Sequence, residues 1–170
     1  DRTGPGVGQT LLFFPGARVD PHAYATTFSD TVANTGHSVL IVRPWFNLAI
    51  ANPRPLSDFA ALAPDTTITG VGGHSLGGVR ACALATDDAI DTVVLMASYC
   101  ATDLSDRTDL AVISLHGAND GLVDWQLVDD ARGLLPAGSI ETTLVGLAHA
   151  SFGDYGPQSG DGQPEVERAE

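Results

Sequence analysis

A serine hydroxyl becomes nucleophilic at neutral pH only beside a base, and the usual base is a histidine oriented by a carboxylate. This chain offers such a set in the order serine, aspartate, histidine: Ser75, Asp120 and His149. Ser75 is the tip of Gly73-His74-Ser75-Leu76-Gly77-Gly78, a G-x-S-x-G pattern. The glycines have a physical reason. The serine backbone must take a strained conformation to lift Oγ clear, and side chains at Gly73 or Gly77 would collide with the neighbouring strand and helix. The chemistry open to such a serine is acyl transfer, with the histidine carrying the proton. Two backbone N–H groups must then face the oxyanion. One is that of Leu76, just after the nucleophile. The other comes from the turn Pro15-Gly16-Ala17 and is assigned to Ala17.

Each member of the set has competitors. His116 ends an apolar run before Asp120 and is expected to pack or to cap the Gly117 turn. His74 adjoins the nucleophile, but its side chain should point away from Oγ and serve structure. His22 and His37 flank the first helix and read as surface residues. Asp124 competes with Asp120 but is better placed to cap a helix beginning at Trp125. Asp120 stands in Asn119-Asp120-Gly121, immediately after a strand. Arg18 either holds a substrate carboxylate or braces its loop. Gly16, Arg18 and His74 flank the oxyanion turn and the nucleophile, and are grouped as candidate substrate-binding residues.

Such a set needs a scaffold that brings it to one edge, and the chain alternates strands with helices. Continuous apolar runs predict strands at Thr10–Pro15, Ser38–Arg43, Thr66–Gly72, Asp91–Ser98, Leu110–His116 and Ile140–Val145. Asp20 as N-cap and Pro21 at the first helical position open a helix to Thr35, with Tyr24, Phe28 and Val32 on one face and Gly36 as its stop. Short helical pieces follow at 48–51 and 56–62. The Ala- and Leu-rich run Val79–Thr86 forms the helix after the serine. Trp125–Leu135 is a helix with Leu127, Val128, Ala131 and Leu134 inward. This alternation predicts one mainly parallel sheet of about six strands with helices on both faces. In such sheets the ligand sits at the carboxyl ends of the strands. Ser75, Asp120, His149 and the Gly16-Ala17 turn all follow strands, so all fall on that edge. Strand, tight turn and helix around Ser75 match the nucleophile elbow of the α/β-hydrolase fold. The expected class is therefore α/β: a minimal single α/β-hydrolase domain over 1–170, with 1–9 and about 157–170 as polar terminal segments. The stretch Tyr99–Asp109, where a cap would be inserted, is too short for a lid.

Composition narrows the partners. The chain has 170 residues, enough for one substantial core, and a net charge of −13. That charge argues against nucleic acid and against anionic membranes. No apolar run is long enough to span a bilayer. Every basic residue is Arg and Lys is absent. The acidic surplus points either to an origin in a high-salt or high-GC organism or to plain solubility through charge. Cys82 and Cys100 form no C-x-x-C motif and are read as two separate buried thiols rather than a pair. No metal and no cofactor is required. The start at Asp1, without Met and in a polar stretch, reads as a processed or trimmed product.

Several segments together resemble a known family. They are the elbow, the opening Phe14-Pro-Gly-Ala-Arg-Val-Asp-Pro21, the segment Asn47-Leu-Ala49, His116-Gly117 with Asn119-Asp120-Gly121, and the ending His149-Ala-Ser-Phe-Gly-Asp-Tyr-Gly156. They are similar to the small bacterial α/β-hydrolases of the "fold-5" family, relatives of dienelactone hydrolase. The resemblance implies a Ser75–Asp120–His149 triad, and that Asn47, Phe152 and Tyr155 shape the site or its rim. Members usually carry Gly-Lys where this chain has Ala17-Arg18. Dienelactone hydrolases proper use a cysteine nucleophile, so Ser75 argues against that particular activity. Members often carry an N-terminal membrane anchor, which fits the polar start at Asp1 and an extracytoplasmic location. The expected activity is that of a lidless serine esterase on a small-molecule, short-chain ester. The rivals are the same machinery acting on a thioester, lactone or amide, and a non-catalytic binding domain.

Overall fold

The computed structural model describes residues 9–166, so the expected polar segments at 1–8 and 167–170 lie outside the described residues. Six strands form one sheet: β1 (Gln9–Phe14), β2 (Ser38–Ile41), β3 (Thr67–His74), β4 (Thr92–Met96), β5 (Ala111–Gly117) and β6 (Ile140–Leu144), in the order β2-β1-β3-β4-β5-β6. Every neighbouring pair is parallel. Gln9, expected in a terminal segment, is the first residue of β1. The order changes direction at β1, where the chain first goes outward to β2 and then returns to the other side as β3. That switch places the turns after β1 and β3 side by side, with Phe14 in register with Gly73.

The helices α1 (Ala25–Thr35), α2 (Leu56–Leu62), α3 (Leu76–Leu84) and α4 (Trp125–Ala131) fill the connections. Alternation along the strands splits the core in two. Leu12, Phe14, Val71, Val93, Leu95 and Val112 face α2 and α3. Phe13, Tyr24, Phe28, Met96 and Phe152 form the opposite cluster, under α1. Fully burying a side chain such as Phe13 or Phe14 contributes roughly 1.5–3 kcal/mol. The entry to α1 follows its sequence signals. Asp20 accepts the His22 N–H, Pro21 opens a short 3-10 turn (Pro21–Tyr24), and Gly36 closes the helix at φ 71°.

Three expectations are corrected. Val32 and Leu127, read as inward, are partly exposed, because α1 and α4 lie over the sheet with a narrower stripe than the apolar pattern suggests. β6 is no apolar run: Ile140, Glu141, Thr142 and Thr143 are exposed, as befits an edge strand. The two cysteines are paired, Cys82 of α3 with Cys100 after β4, their Cα atoms 5.6 Å apart. Closing a loop of this size restricts the unfolded chain by about 3 kcal/mol. Residues 157–166, expected to be a terminal segment, run along the loops after β5 and β6, where Asn119 Nδ2 donates to the Gln163 carbonyl and Glu165 N–H to the Gly146 carbonyl.

The segment between β4 and β5 does not arch over the sheet edge. Arg107 donates to the carbonyls of Ala85 (2.8 Å) and Ile90 (2.7 Å), pairs with Asp109, and holds the segment down with Leu104 buried. No helix among the described residues is long and apolar enough to cross a membrane.

Candidate active site

Ser75 sits between the last residue of β3 and the first of α3, at φ 53° and ψ −127°, a conformation that L-residues rarely adopt. The glycines around it permit this. A Cβ on Gly73 would overlap the backbone of Gly77 and Gly78, and one on Gly77 the carbonyls of Phe14 and Pro15. The serine's own main chain is pinned on both sides. Its N–H donates to the Met96 carbonyl (2.9 Å), and its carbonyl accepts from Gly78 N–H (2.9 Å) and Ser98 Oγ (2.6 Å). The strain is therefore held by neighbouring β4 as well as by the glycines.

Asp120 leaves β5 in a turn and His149 opens a 3-10 turn (His149–Phe152) after β6. His149 Nδ1–H donates to Asp120 Oδ2 at 2.8 Å, with the two side chains 5% and 0% exposed. Asp120 Oδ1 accepts the N–H groups of Leu122 and Val123, each at 2.9 Å. Burial pushes the Asp120 carboxyl up, but the hydrogen bonds from His149, Leu122 and Val123 together outweigh it and hold it below the usual carboxylate range. Asp120 is thus an ionised acceptor that fixes the imidazole through Nδ1. No hydrogen bond between Ser75 Oγ and His149 is closed among the described residues; in free enzymes this bond is commonly long and tightens with substrate.

On the other side of Ser75, Leu76 N–H stands at the start of α3, and Ala17 N–H in the turn after β1. Neither donates to a main-chain acceptor among the turns described. The Ala17 turn is braced from below. Tyr24 OH accepts the Gly16 N–H (3.0 Å) and contacts His74 Nδ1 (2.8 Å). The hydroxyl oxygen keeps a second lone pair, so the His74 tautomer sets which partner of that contact donates, and the Ala17 turn rests on it either way. It is braced from the side by Arg18 N–H, which donates to the Asn47 carbonyl at 2.7 Å.

A strained serine on a strand–helix turn, a buried aspartate–histidine pair and two free N–H groups share one sheet edge. The model of the alpha/beta hydrolase family matches residues 10–170. The chain belongs to the alpha/beta hydrolase family.

No curated protein matches this alpha/beta hydrolase. Solved structures share its fold at low identity. A predicted CIB-like hydrolase from Thermoplasma acidophilum is 15% identical with a TM-score of 0.65, over 85% of this chain and 79% of the other. Zea mays acyl-protein thioesterase 2 is 14% identical with a TM-score of 0.62, over 84% and 87%. DcsB, solved in complex with its substrate analogue, is 12% identical with a TM-score of 0.68, over 86% and 85%.

The remaining candidates of this alpha/beta hydrolase fall into two groups. Arg18 is exposed at φ 62°, and its guanidinium has no protein partner among the described residues. Asn47 (φ 53°) and Tyr155 are half-buried, and Tyr155 OH donates to Gln158 Oε1. These three remain near the edge. Gly16, His74 and Phe152 do not face solvent and act from beneath. His74 is a correction as a substrate-binding residue: it is 1% exposed, with its ring 4.6 Å from that of His149 and 5.9 Å from that of Phe152. Burial first, and the neighbouring His149 second, push its pKa down to about 3, so it is a neutral spacer. Phe152, expected at the site or its rim, is core under that ring.

The competitors settle as packing or caps. His116 is buried against Trp125, ring centroids 5.3 Å apart, and burial lowers its pKa. Asp124 caps α4, accepting the N–H groups of Gln126 and Leu127. Among the described residues no group of three His, Cys, Asp or Glu side chains is arranged to hold a metal. A cavity of about 350 Å³, lined by Leu147, Ala150, Pro157, Pro164 and Val166, lies behind the His149 turn and does not include Ser75, Asp120 or His149. Two further contributors have only faint signals in the sequence: Tyr24 shows an apolar-face pattern, and Ser98 a strand end.

Proposed function

We propose that this alpha/beta hydrolase is a serine carboxylesterase that cleaves small or short-chain esters through Ser75, His149 and Asp120. The observation that carries the reading is the buried 2.8 Å contact of His149 with Asp120 on the same sheet edge as the strained Ser75 turn. His149 Nε2 takes the Ser75 proton as Oγ attacks the ester carbonyl. The negative charge that forms on the carbonyl oxygen faces the N–H groups of Leu76 and Ala17. Collapse breaks the bond to the leaving alkoxide, which takes the proton back from the His149 imidazolium. His149 then removes a proton from water, the resulting hydroxide attacks the acyl-serine, and the acid departs as Ser75 recovers its proton.

His74 supports the same steps. Its ring is the nearest to His149, and a second positive charge there would oppose the imidazolium. Remaining neutral down to about pH 3, it does not. The folded-down segment between β4 and β5 leaves the edge open, which suits small soluble esters better than substrates that need an enclosing lid.

The test is hydrolysis of p-nitrophenyl acetate, butyrate and octanoate, with an acyl thioester beside them, by the wild type and Ser75→Ala. Turnover lost by several orders of magnitude in Ser75→Ala, together with covalent labelling of wild-type Ser75 by a fluorophosphonate, is the expected result. Thioester cleavage ahead of every oxygen ester would move the reading to a thioesterase. No turnover and no labelling in the wild type would leave a binding domain.

A further inference from the structure

Asp161 lies in the tail, beyond both Asp120 and His149 in the chain, and its carboxylate touches the backbone of both loops. Oδ1 accepts the N–H of Gly121, the residue after Asp120, at 3.1 Å, and the N–H of His149 itself at 3.1 Å. Oδ2 accepts the N–H of Ala150 at 2.8 Å. The Gly162 N–H also reaches Oδ1, at 2.8 Å, and fixes the carboxylate's own orientation. No other side chain among those described joins the acid loop to the base turn in this way; Asp120 joins them only through the imidazole.

We propose that Asp161 is a positioning residue for the acid–base pair: one carboxylate that clamps the backbone of the Asp120 loop to the backbone of the His149 turn. This rests on the reading of Asp120 and His149 as the catalytic pair. The physical case is that the N–H groups of His149 and Ala150 begin a 3-10 turn and have no acceptor within it. Left unpaired, they would turn toward water and carry the imidazole with them. A carboxylate meets them with two acceptor oxygens at once, and charge-assisted hydrogen bonds are the stronger kind. An amide cannot substitute. It offers one acceptor oxygen and sets an NH₂ group against backbone donors. The tail is held in place for this role, since Asn119 Nδ2 grips the Gln163 carbonyl and Glu165 N–H the Gly146 carbonyl. Gly162 must be glycine here, because a Cβ would overlap the Asn119 carbonyl.

The experiment compares wild type, Asp161→Asn and Glu165→Gln, which removes the same charge from the same tail at an exposed side chain. Rates are expressed per active serine, counted by fluorophosphonate titration, so that unfolded protein drops out. The expected result is a fall in kcat on the order of 10- to 100-fold for Asp161→Asn with KM within about twofold, and wild-type behaviour for Glu165→Gln. A second readout is independent of turnover: the far-downfield proton NMR signal of His149 Nδ1–H against Asp120. It should be sharp in the wild type and weakened or displaced in Asp161→Asn. If the wild type and Ser75→Ala behave as proposed above but Asp161→Asn keeps its kcat per titrated serine, or loses only titratable serines, the positioning role is overturned and the esterase reading stands. If the wild type has no turnover, the esterase reading fails, and an Nδ1–H signal unchanged by Asp161→Asn overturns the clamp as well.

Discussion

On one side of Ser75 lie Asp120 and His149, almost sealed from solvent; on the other lies the Gly16-Ala17-Arg18 turn, half open and resting on a second loop. The side proposed for acid–base work is built from charge. Asp120 has both oxygens engaged, one on the imidazole and one on two backbone N–H groups. The side proposed for the oxyanion braces its turn with neutral groups and carries its load in the backbone, the Arg18 guanidinium standing exposed beyond it. Gly16 N–H rests on the Tyr24 hydroxyl, while Arg18, Phe46 and Asn47 all hold positive φ, at 62°, 56° and 53°. The difference follows from the tasks. An imidazole must keep one orientation through two proton transfers, and a buried ionised partner supplies that. An oxyanion donor must stay free of protein acceptors until substrate arrives, so its turn can be braced only from outside. His74 stands between the two, hydrogen-bonded to Tyr24 on one flank and in tilted ring contact with His149 on the other.

The largest expected effect breaks the charged side. Asp120→Asn keeps the shape but presents an amide to Nδ1, so the imidazole no longer has a fixed tautomer. We expect kcat to fall on the order of 10³- to 10⁴-fold with KM little changed, measured on a short-chain p-nitrophenyl ester. A loss below about tenfold would mean that the pair is structural and the asymmetry between the two sides is not catalytic.

The junction is tested next, by pH. His74 has a native pKa of about 3 against an unfolded value near 6.5, so below pH 6.5 the unfolded chain binds a proton that the native chain refuses. Stability should therefore decline as pH falls from 6.5 toward 3, by about 2 kcal/mol at pH 5 from this residue, at about 1.4 kcal/mol per pH unit. His116, also lowered by burial, acts in the same direction. Urea unfolding at pH 7 and pH 5 measures the decline. His74→Gln, whose amide can still hydrogen-bond Tyr24, should show a shallower one; an equal slope in both proteins would count against a neutral His74.

Much of this comparison was legible in the chain, and what was not has a common cause. Ser75, Asp120 and His149 can be read as one candidate set because strand ends and glycine turns are local patterns, and the carboxyl edge of a parallel sheet gathers whatever follows the strands. The expected N-caps Asp20 and Asp124 are local in the same way, and both hold. Asp161 is invisible because its partners are backbone N–H groups, which every sequence has, and because a polar tail carries no periodicity. His74 was grouped with substrate residues through its nearness to Ser75, but the residue before an elbow serine still belongs to the strand and points into the sheet's packing. The Cys82–Cys100 pair depends on α3 lying across the end of β4, a tertiary distance that spacing does not encode. β6 looked apolar at its ends, Ile140 and Val145, while the threonines and glutamate between them mark the exposed edge it occupies.

Tyr24→Phe weakens the neutral side without removing a catalytic group. It strands the Gly16 N–H and releases His74 Nδ1, a change worth about 1–3 kcal/mol for a buried donor left unpaired. The melting temperature should drop accordingly. Because the Ala17 turn then loses its floor, kcat/KM should fall about tenfold, well short of Asp120→Asn. Equal losses in the two variants would erase the distinction between a charged side that drives proton transfer and a neutral one that holds the oxyanion.

The smallest effect concerns the outer loop that braces the oxyanion turn. Phe46 is 87% exposed, Trp45 beside it 48%, and both precede the Asn47 carbonyl that holds Arg18 N–H. An aromatic side chain at φ 56° carries about 1–2 kcal/mol of backbone strain and, pointing into water, gains little packing in return. Strain kept at such a place argues for use, and under the esterase reading proposed above that use is contact with the apolar part of the ester. Phe46→Gly relieves the strain but makes the unfolded chain more flexible, so the two effects nearly cancel and stability should stay within about 1 kcal/mol of the wild type. The KM for p-nitrophenyl octanoate should rise about threefold or more while that for acetate does not, the scale of a partly exposed apolar contact. A clear loss of stability with an unchanged octanoate-to-acetate ratio would make Phe46 a brace of the neutral side and nothing more.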